Sequence, residues 1–298
     1  MKKYIVVAFF LFALMVLVRQ VSTVHAQDAQ DNGRPEPPAL GLHWAKGLNG
    51  LHGHRNPLMS WHNGAIMTDS TVETIYWGTS WSNSSFVGDK ITGLDSFYAG
   101  FANSNYAATS NEYTGTNGQV GSSVTYGGHH IDTSPASGGN STSTILAEVC
   151  KVIPSPVANG YYAVHVDVKR GNAGYCAYHS YGSCGGVPVQ FAFFWNLDGD
   201  SGCDPNDNSG LHSQGLSALA NVSGHELSEA RTDPRNGGWY DASGNENGDK
   251  CAWTFNLPLV SFSDGSQWKI QGEWSNAAFN SNTGYPNSAG QNGCLDGH

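Results

Sequence analysis

Charge is scarce in this chain. Asp, Glu, Lys and Arg make up 13% of its 298 residues, with 14 basic against 24 acidic side chains. So few cations leave little to hold the phosphates of nucleic acid or an anionic membrane surface, and both are excluded as principal partners. Divalent ions and cationic substrates remain compatible. Past residue 18 no stretch approaches the ~18 apolar residues that a membrane span needs. The cysteines never form a CxxC pair, which argues against a thiolate zinc site. Neither an internal repeat nor a linker interrupts residues 60 to 298, so a single domain is expected there.

What is present begins with a leader. Lys2 and Lys3 precede an apolar core from Tyr4 to Val18, and Val24-His25-Ala26 forms a small-residue cleavage site. This pattern predicts a signal peptide over residues 1–26 and an exported, extracellular product. An uncleaved anchor is the alternative, and the short core opposes it. Loss of Lys2, Lys3 and Arg19 with the leader moves the formal charge from -10 to -13. All six cysteines lie beyond it: Cys150, Cys176, Cys184, Cys203, Cys251 and Cys294. An even count in an exported chain points to disulfides. Cys176 with Cys184, around a short Gly-containing loop, and Cys203 with Cys251 are the expected pairs.

Residues 27–57 are rich in Gly, Pro, Asn and Asp without apolar periodicity. They read as a flexible leader, with His43, His52 and His54 in a solvated tail. From residue 58 to 298 strands and helices alternate. Thr71–Trp77 (TVETIYW) is β-branched and aromatic, so a strand. Asp89–Phe101 repeats apolar residues at helical spacing behind a capping Asp. Ser122–Tyr126 reads as a strand, Ser143–Val152 as a helix, Tyr161–Val168 and Val187–Trp195 as the strongest strands. A helix starts at Ser213, followed by strand-like pieces at Leu257–Phe262 and Gln267–Gln271. The fold class is α/β (α+β), a single mixed-sheet domain whose C-terminal part is loop-rich and disulfide-containing.

Chemistry concentrates between Ser223 and Trp253, SGHELSEARTDPRNGGWYDASGNENGDKCAW. Leu216, Leu219, Ala220, Leu227 and Ala230 form one apolar stripe of the Ser213 helix, and His225 and Glu229 fall opposite it. At a spacing of four they share a face, as two zinc ligands do, and Glu226 beside them suits a general base. The competing reading is a surface helix with a solvated polar face. Thr232-Asp233-Pro234 stops the helix.

Two family resemblances follow from quoted segments. SWHNGAIMTDSTVETIYWG (60–78), YCAYHSYGSCGG (175–186) and FFWNLDGDSGC (193–203) are similar to the EXORDIUM or phosphate-induced family of secreted wall proteins. That resemblance implies an extracellular protein, non-catalytic, binding cell-wall carbohydrate or acting as a signal. HELSE and the element order resemble the zincin metallopeptidases. Carried over, His225 would be the first ligand, Glu226 the base that activates water, and Glu229 the second ligand. Glu246 or Asp233 would complete the set, with Asp241 and Asp249 in range. Glu229 stands where zincins usually have His, and a set with two carboxylates binds Zn²⁺ but admits Ca²⁺ or Mn²⁺ more readily. The substrate implied is peptide or cell-wall material. In the alternative reading these carboxylates cap turns around a disulfide loop.

Asp198, Asp200, Asp204 and Asp207 crowd one loop, which suits either Ca²⁺ or an acidic turn. The twelfth position is Ser209, so it is no EF-hand. His129, His130 and His179 could share a cleft, or be hydrogen-bonded structural residues. Trp239, Tyr240 and Trp253 could stack on sugar or pack the core. Asn83, Asn140 and Asn221 sit in N-x-S/T sequons.

Overall fold

β-branched and aromatic runs build the framework of this protein. The computed structural model describes residues 36–48 and 57–298; the signal peptide expected over residues 1–26, and His52 and His54, lie outside the described residues. In chain order the framework is β1 (Leu40–Trp44), β2 (Ser70–Trp77), α1 (Lys90–Phe101), β3 (Val124–Asp132), α2 (Thr142–Val152), β4 (Gly160–Lys169), β5 (Tyr175–Cys184), β6 (Val187–Asn196), α3 (Gln214–Thr232) and α4 (Asn247–Lys250). Six strands form one mixed sheet in the order β1-β5-β6-β4-β2-β3. β2 runs parallel to β3 and β4, and β4 parallel to β6, while β5 is antiparallel to both β6 and β1.

α1 and α2 supply the crossovers among β2, β3 and β4, while β4 and β6 are parallel because β5 runs back between them in the chain, antiparallel to β6. α1 and α3 pack together on one face, and Leu146 of α2 lies against Gly182 on the other. With both faces covered, β6 is buried from Val189 to Asn196, as its unbroken apolar run requires. Beyond α3, besides α4 and a short helix at Asn276–Ser281, the chain makes short strand pairs: Trp239–Tyr240 with Ser60–Trp61, Val260–Ser261 with Gln267–Trp268, and Glu273–Trp274 and Tyr285–Pro286 with Asn292–Leu295. The C-terminal part is loop-rich as expected.

Three expectations change. Residues 40–44, read as part of the leader, form the edge strand β1, because the pairing groups of β5 and a buried patch for His43 and Ala45 outweigh local composition. The stretch from Cys176 to Cys184, read as a short Gly-containing loop, lies in β5, and the turn falls at Gly185-Gly186. The strand begun near Ser122 runs on to Asp132, so His129 and His130 stand on β3.

The disulfides also pair differently: Cys150–Cys184, Cys176–Cys203 and Cys251–Cys294. Cys176 and Cys184 occupy the two ends of one extended strand, roughly 26 Å apart at the usual rise, and cannot meet. Cys203 therefore ties the loop after β6 to the start of β5, and Cys251 is left for Cys294. β5 is fixed at both ends, to α2 and to the loop leading into α3.

Candidate metal centre

Ser213 caps α3, its hydroxyl accepting the Leu216 N–H at 3.2 Å, and itself donates to Asp89. The apolar stripe meets the sheet and α1 as its spacing predicts. The opposite face is not solvated: every residue from Gly215 to Thr232 is buried. β1 and α4 pack against this helix. The polar groups of His225, Glu226 and Glu229 therefore cannot turn to water and must be matched inside the protein.

They meet three residues from other elements. Glu229 Oε2 lies 3.1 Å from His225 Nε2 and 3.9 Å from His179 Nε2, which β5 points inward. His179 Nε2 in turn lies 3.2 Å from Glu246 Oε2. Asp249 Oδ1 stands 3.8 Å from His225 Nε2, and its backbone N–H donates to Glu229 Oε1 at 2.9 Å. Glu246 and Asp249 arrive together because each accepts from the other's backbone N–H in a capping box at the start of α4. Two groups close enough to share an ion result, His179 with Glu229 and Glu246, and His225 with Glu229 and Asp249. Glu229 belongs to both.

This cluster could hold a metal ion. Ligand atoms on a tetrahedral zinc stand roughly 3.3–3.5 Å from one another, and the pairs above fall around that value. Glu229 Oε2 and His225 Nε2 are buried without a well-directed hydrogen bond. Such orphaned atoms cost free energy unless a further group neutralises them.

Burial sets the charge states. It depresses His225 to about 3, and His179, which also feels His225, to about 3. Both imidazoles are neutral near pH 7, the form that binds metals. Burial raises Glu226, Glu229 and Glu246 well above the usual carboxylate range, and for Glu226 and Glu246 the neighbouring Glu229 adds to it. Asp249 is raised for the same two reasons, burial and then Glu229. Four carboxyls this close cannot all ionise without a cation.

Gln271 decides how His225 can act. Its Oε1 accepts from the Trp253 N–H at 3.2 Å and its Nε2 donates to Gly248 O at 2.8 Å, which orients the amide. The same Nε2 lies 3.0 Å from His225 Nδ1. That hydrogen-bond network makes Nδ1 an acceptor and puts the imidazole proton on Nε2. His225 can bond an ion through Nε2 only if the amide of Gln271 turns over and gives up both backbone partners. His179 is under no such constraint, since its Nδ1 has no partner. The ligand set available without rearrangement is His179, Glu229 and Glu246.

Asp233 stays out of the cluster. Its Oδ1 accepts from Gly237 N and Gly238 N, both at 2.7 Å, and it closes the turn after α3. The acidic loop does not converge either. Asp198 pairs with Lys90, Asp200 takes Arg170 on both oxygens, and Asp204 accepts from Asn206 N, so separate partners hold each carboxylate. Among the described residues no ion-sharing group includes them. His129 and His130, on β3, pair with Asp95 of α1 and Glu73 of β2, away from His179. Asp241 is engaged by Asn245 and Lys250. The Asn221 sequon is fully buried, its Oδ1 accepting from Gln271 N.

Two neighbours of the centre escape a reading of the sequence. His43 is fully buried, its ring 4.3 Å from that of His225 and edge-on to Trp253 at 4.6 Å. The alternating LGLHW was the available signal, hidden by the Pro- and Gly-rich stretch around it. Gln271 carries no motif at all. Beside the centre opens a cleft of about 350 Å³ lined by Leu40, Gly41, Trp44, Tyr240, Glu246 and Asp249.

No protein-family model and no curated protein matches this chain. The zincin and EXORDIUM resemblances therefore rest on their sequence motifs alone.

Proposed function

We propose that this protein is an exported metal-dependent hydrolase acting on peptide or cell-wall material. The observation that carries this reading is the convergence on Glu229 Oε2 of two neutral imidazoles and Glu246, all buried and in part without hydrogen-bond partners. His179, Glu229 and Glu246 would hold the ion, with His225 a fourth ligand only after the Gln271 amide turns. The set of one imidazole and two carboxylates suits Zn²⁺ and tolerates harder ions. When bound, the ion supplies Lewis-acid polarisation of a carbonyl.

Glu226 would serve as the general base. It sits on the same buried face as Glu229, and burial keeps it protonated until a neighbouring positive charge and water reach it. Once ionised it would take the proton from a water and return it to the leaving group. Export is supported by three disulfides and by the lack, among the described residues, of any helix long and apolar enough to cross a membrane.

Metal analysis of protein purified without added metal tests the reading: about one ion per chain is expected, and none at neutral pH overturns it. A second reading, a non-catalytic carbohydrate-binding protein, is favoured by Trp44 and Tyr240 on the cleft wall. Trp239 and Trp253 serve it less, since their rings already pack on Tyr113 and on His43. Retention on insoluble polysaccharide without new hydrolysis products would establish it.

A further inference from the structure

β1 passes directly over the candidate ion-binding atoms. It pairs antiparallel with β5 through Leu40 opposite His179, His43 opposite Ala177 and Trp44 opposite Tyr175, with irregular register between each pair. Gly41 bridges the break with φ of 50°, and a Cβ there would stand 1.9 Å from Glu229 Oε2 and 2.7 Å from His179 Nε2. Only a residue without a side chain passes this close to the ion-binding atoms. The next residues cover Glu226, which is fully buried with the His43 backbone N–H beside it. Leu40 to Leu42 make one wall of the cleft, with Glu246 and Asp249 opposite. Glu226 and the candidate ligands Glu229 and His179 thus share one lid of backbone.

That lid is fastened from outside the sheet. Glu36 accepts from Ser143 N and Thr142 Oγ1, each at 2.9 Å, and Ser180 Oγ donates to Pro38 O at 2.7 Å. The strand it covers does not depend on it: β5 is held along its length by β6 and at its ends by Cys176–Cys203 and Cys150–Cys184. Without β1, the backbone groups of β5 would be an unpaired edge over the floor of Glu226 and Glu229. Such an edge takes up an extended chain.

We propose that the edge of β5 is a binding groove for an extended peptide carrying glycine at the position facing Glu229, and that β1 is the chain's own occupant of it. The groove deepens the hydrolase reading by naming its substrate class; it rests on that reading for the fate of the peptide, not for its binding.

Gly41→Val places a β-branched side chain against Glu229 and expels β1. The probe is a fluorescent synthetic peptide ALGLHWAK, the sequence of residues 39–46, measured by anisotropy with EDTA and again with Zn²⁺. The Gly41→Val protein should bind it at least tenfold more tightly than the unaltered protein does, and a probe with Val for Gly should not bind. In EDTA, binding without hydrolysis supports the groove whatever becomes of the metal reading; with Zn²⁺, cleavage of the bound probe joins the two. Should Gly41→Val fail to fold, Glu36→Ala with Ser180→Ala loosens the fastening without added bulk. Hydrogen exchange of the Leu42–Trp44 amides then reports release. Equal binding by the unaltered protein, no binding by a variant whose β1 amides exchange freely, or β1 amides that exchange only on global unfolding would each overturn the proposal.

Discussion

His225 Nε2 stands 3.1 Å from Glu229 Oε2, one helical turn away on α3, with both side chains fully buried. Neither atom has a well-directed hydrogen bond, and the Gln271 amide faces the other nitrogen of the ring. The pair is held ready for a partner, and Gln271 sets the terms on which His225 can take part.

The ligand set can be read by substitution. His179→Gln should lower ion affinity by more than tenfold, because it removes the imidazole whose tautomer is free. His225→Gln should cost less, on the scale of roughly tenfold typical of outer groups that steady a ligand. Competition with a chelating dye measures both. A larger loss for His225→Gln would show that the Gln271 amide does turn.

Changing Gln271 to Glu tests that amide directly. A carboxylate accepts from Nδ1–H and leaves Nε2 free for the ion. Ion affinity at neutral pH should rise. The melting temperature should fall, since the bond to Gly248 O is lost and a buried acid is added. Unchanged affinity would place His225 outside the ligand set.

Stability of the ion-free protein should depend on pH in two opposing ways. Glu226, Glu229, Glu246 and Asp249 have folded-state values raised above the ordinary 4.5 or 3.8, so their contribution is complete below those values and is lost as pH climbs through the raised ones. His179 and His225, depressed to about 3 from 6.5, contribute stability above pH 6.5 that is lost as pH falls toward 3. Chemical denaturation in EDTA should therefore find a maximum in mildly acid solution. Bound ion should displace carboxyl protons and carry the maximum to higher pH. An EDTA-treated protein most stable above pH 8 would contradict these charge states.

Glu226→Gln should keep the fold and the ion and lower turnover by roughly 10²-fold, the scale of lost general-base catalysis. Because the ion-free carboxyl is already neutral, the amide is close to its isostere and stability should change little. Full activity would remove Glu226 from the mechanism, and loss of the ion would make it a ligand.

Replacing Cys251 and Cys294 by Ala removes the disulfide that anchors the residues after α4, at a cost of about 2–4 kcal/mol. Glu246 and Asp249 hang on α4, so ion affinity should fall while the six-stranded sheet melts separately or little changed. Equal loss of sheet and site signals would show that α4 and the sheet form one cooperative unit.

Local periodicity by itself determined most of the framework. The runs at Thr71–Trp77, Tyr161–Val168 and Val187–Trp195 and the helix behind Ser213 are strong because side-chain spacing and capping are local properties. HELSE likewise put His225 and Glu229 on one helical face with Glu226 beside them, and Glu246 and Asp249 were within its reach. Tertiary structure decided the rest. β1 is a strand only because β5 offers it an unpaired edge, and His43 is buried only because α3 lies beneath. Which cysteines pair depended on Cys176 and Cys184 sharing one extended strand, which places them out of each other's reach. His179 meets Glu229, and Asp233 does not, because a strand distant in sequence points inward while the turn after α3 keeps Asp233 for its own amides. Contacts of this kind join residues far apart along the chain, and no spacing rule records them.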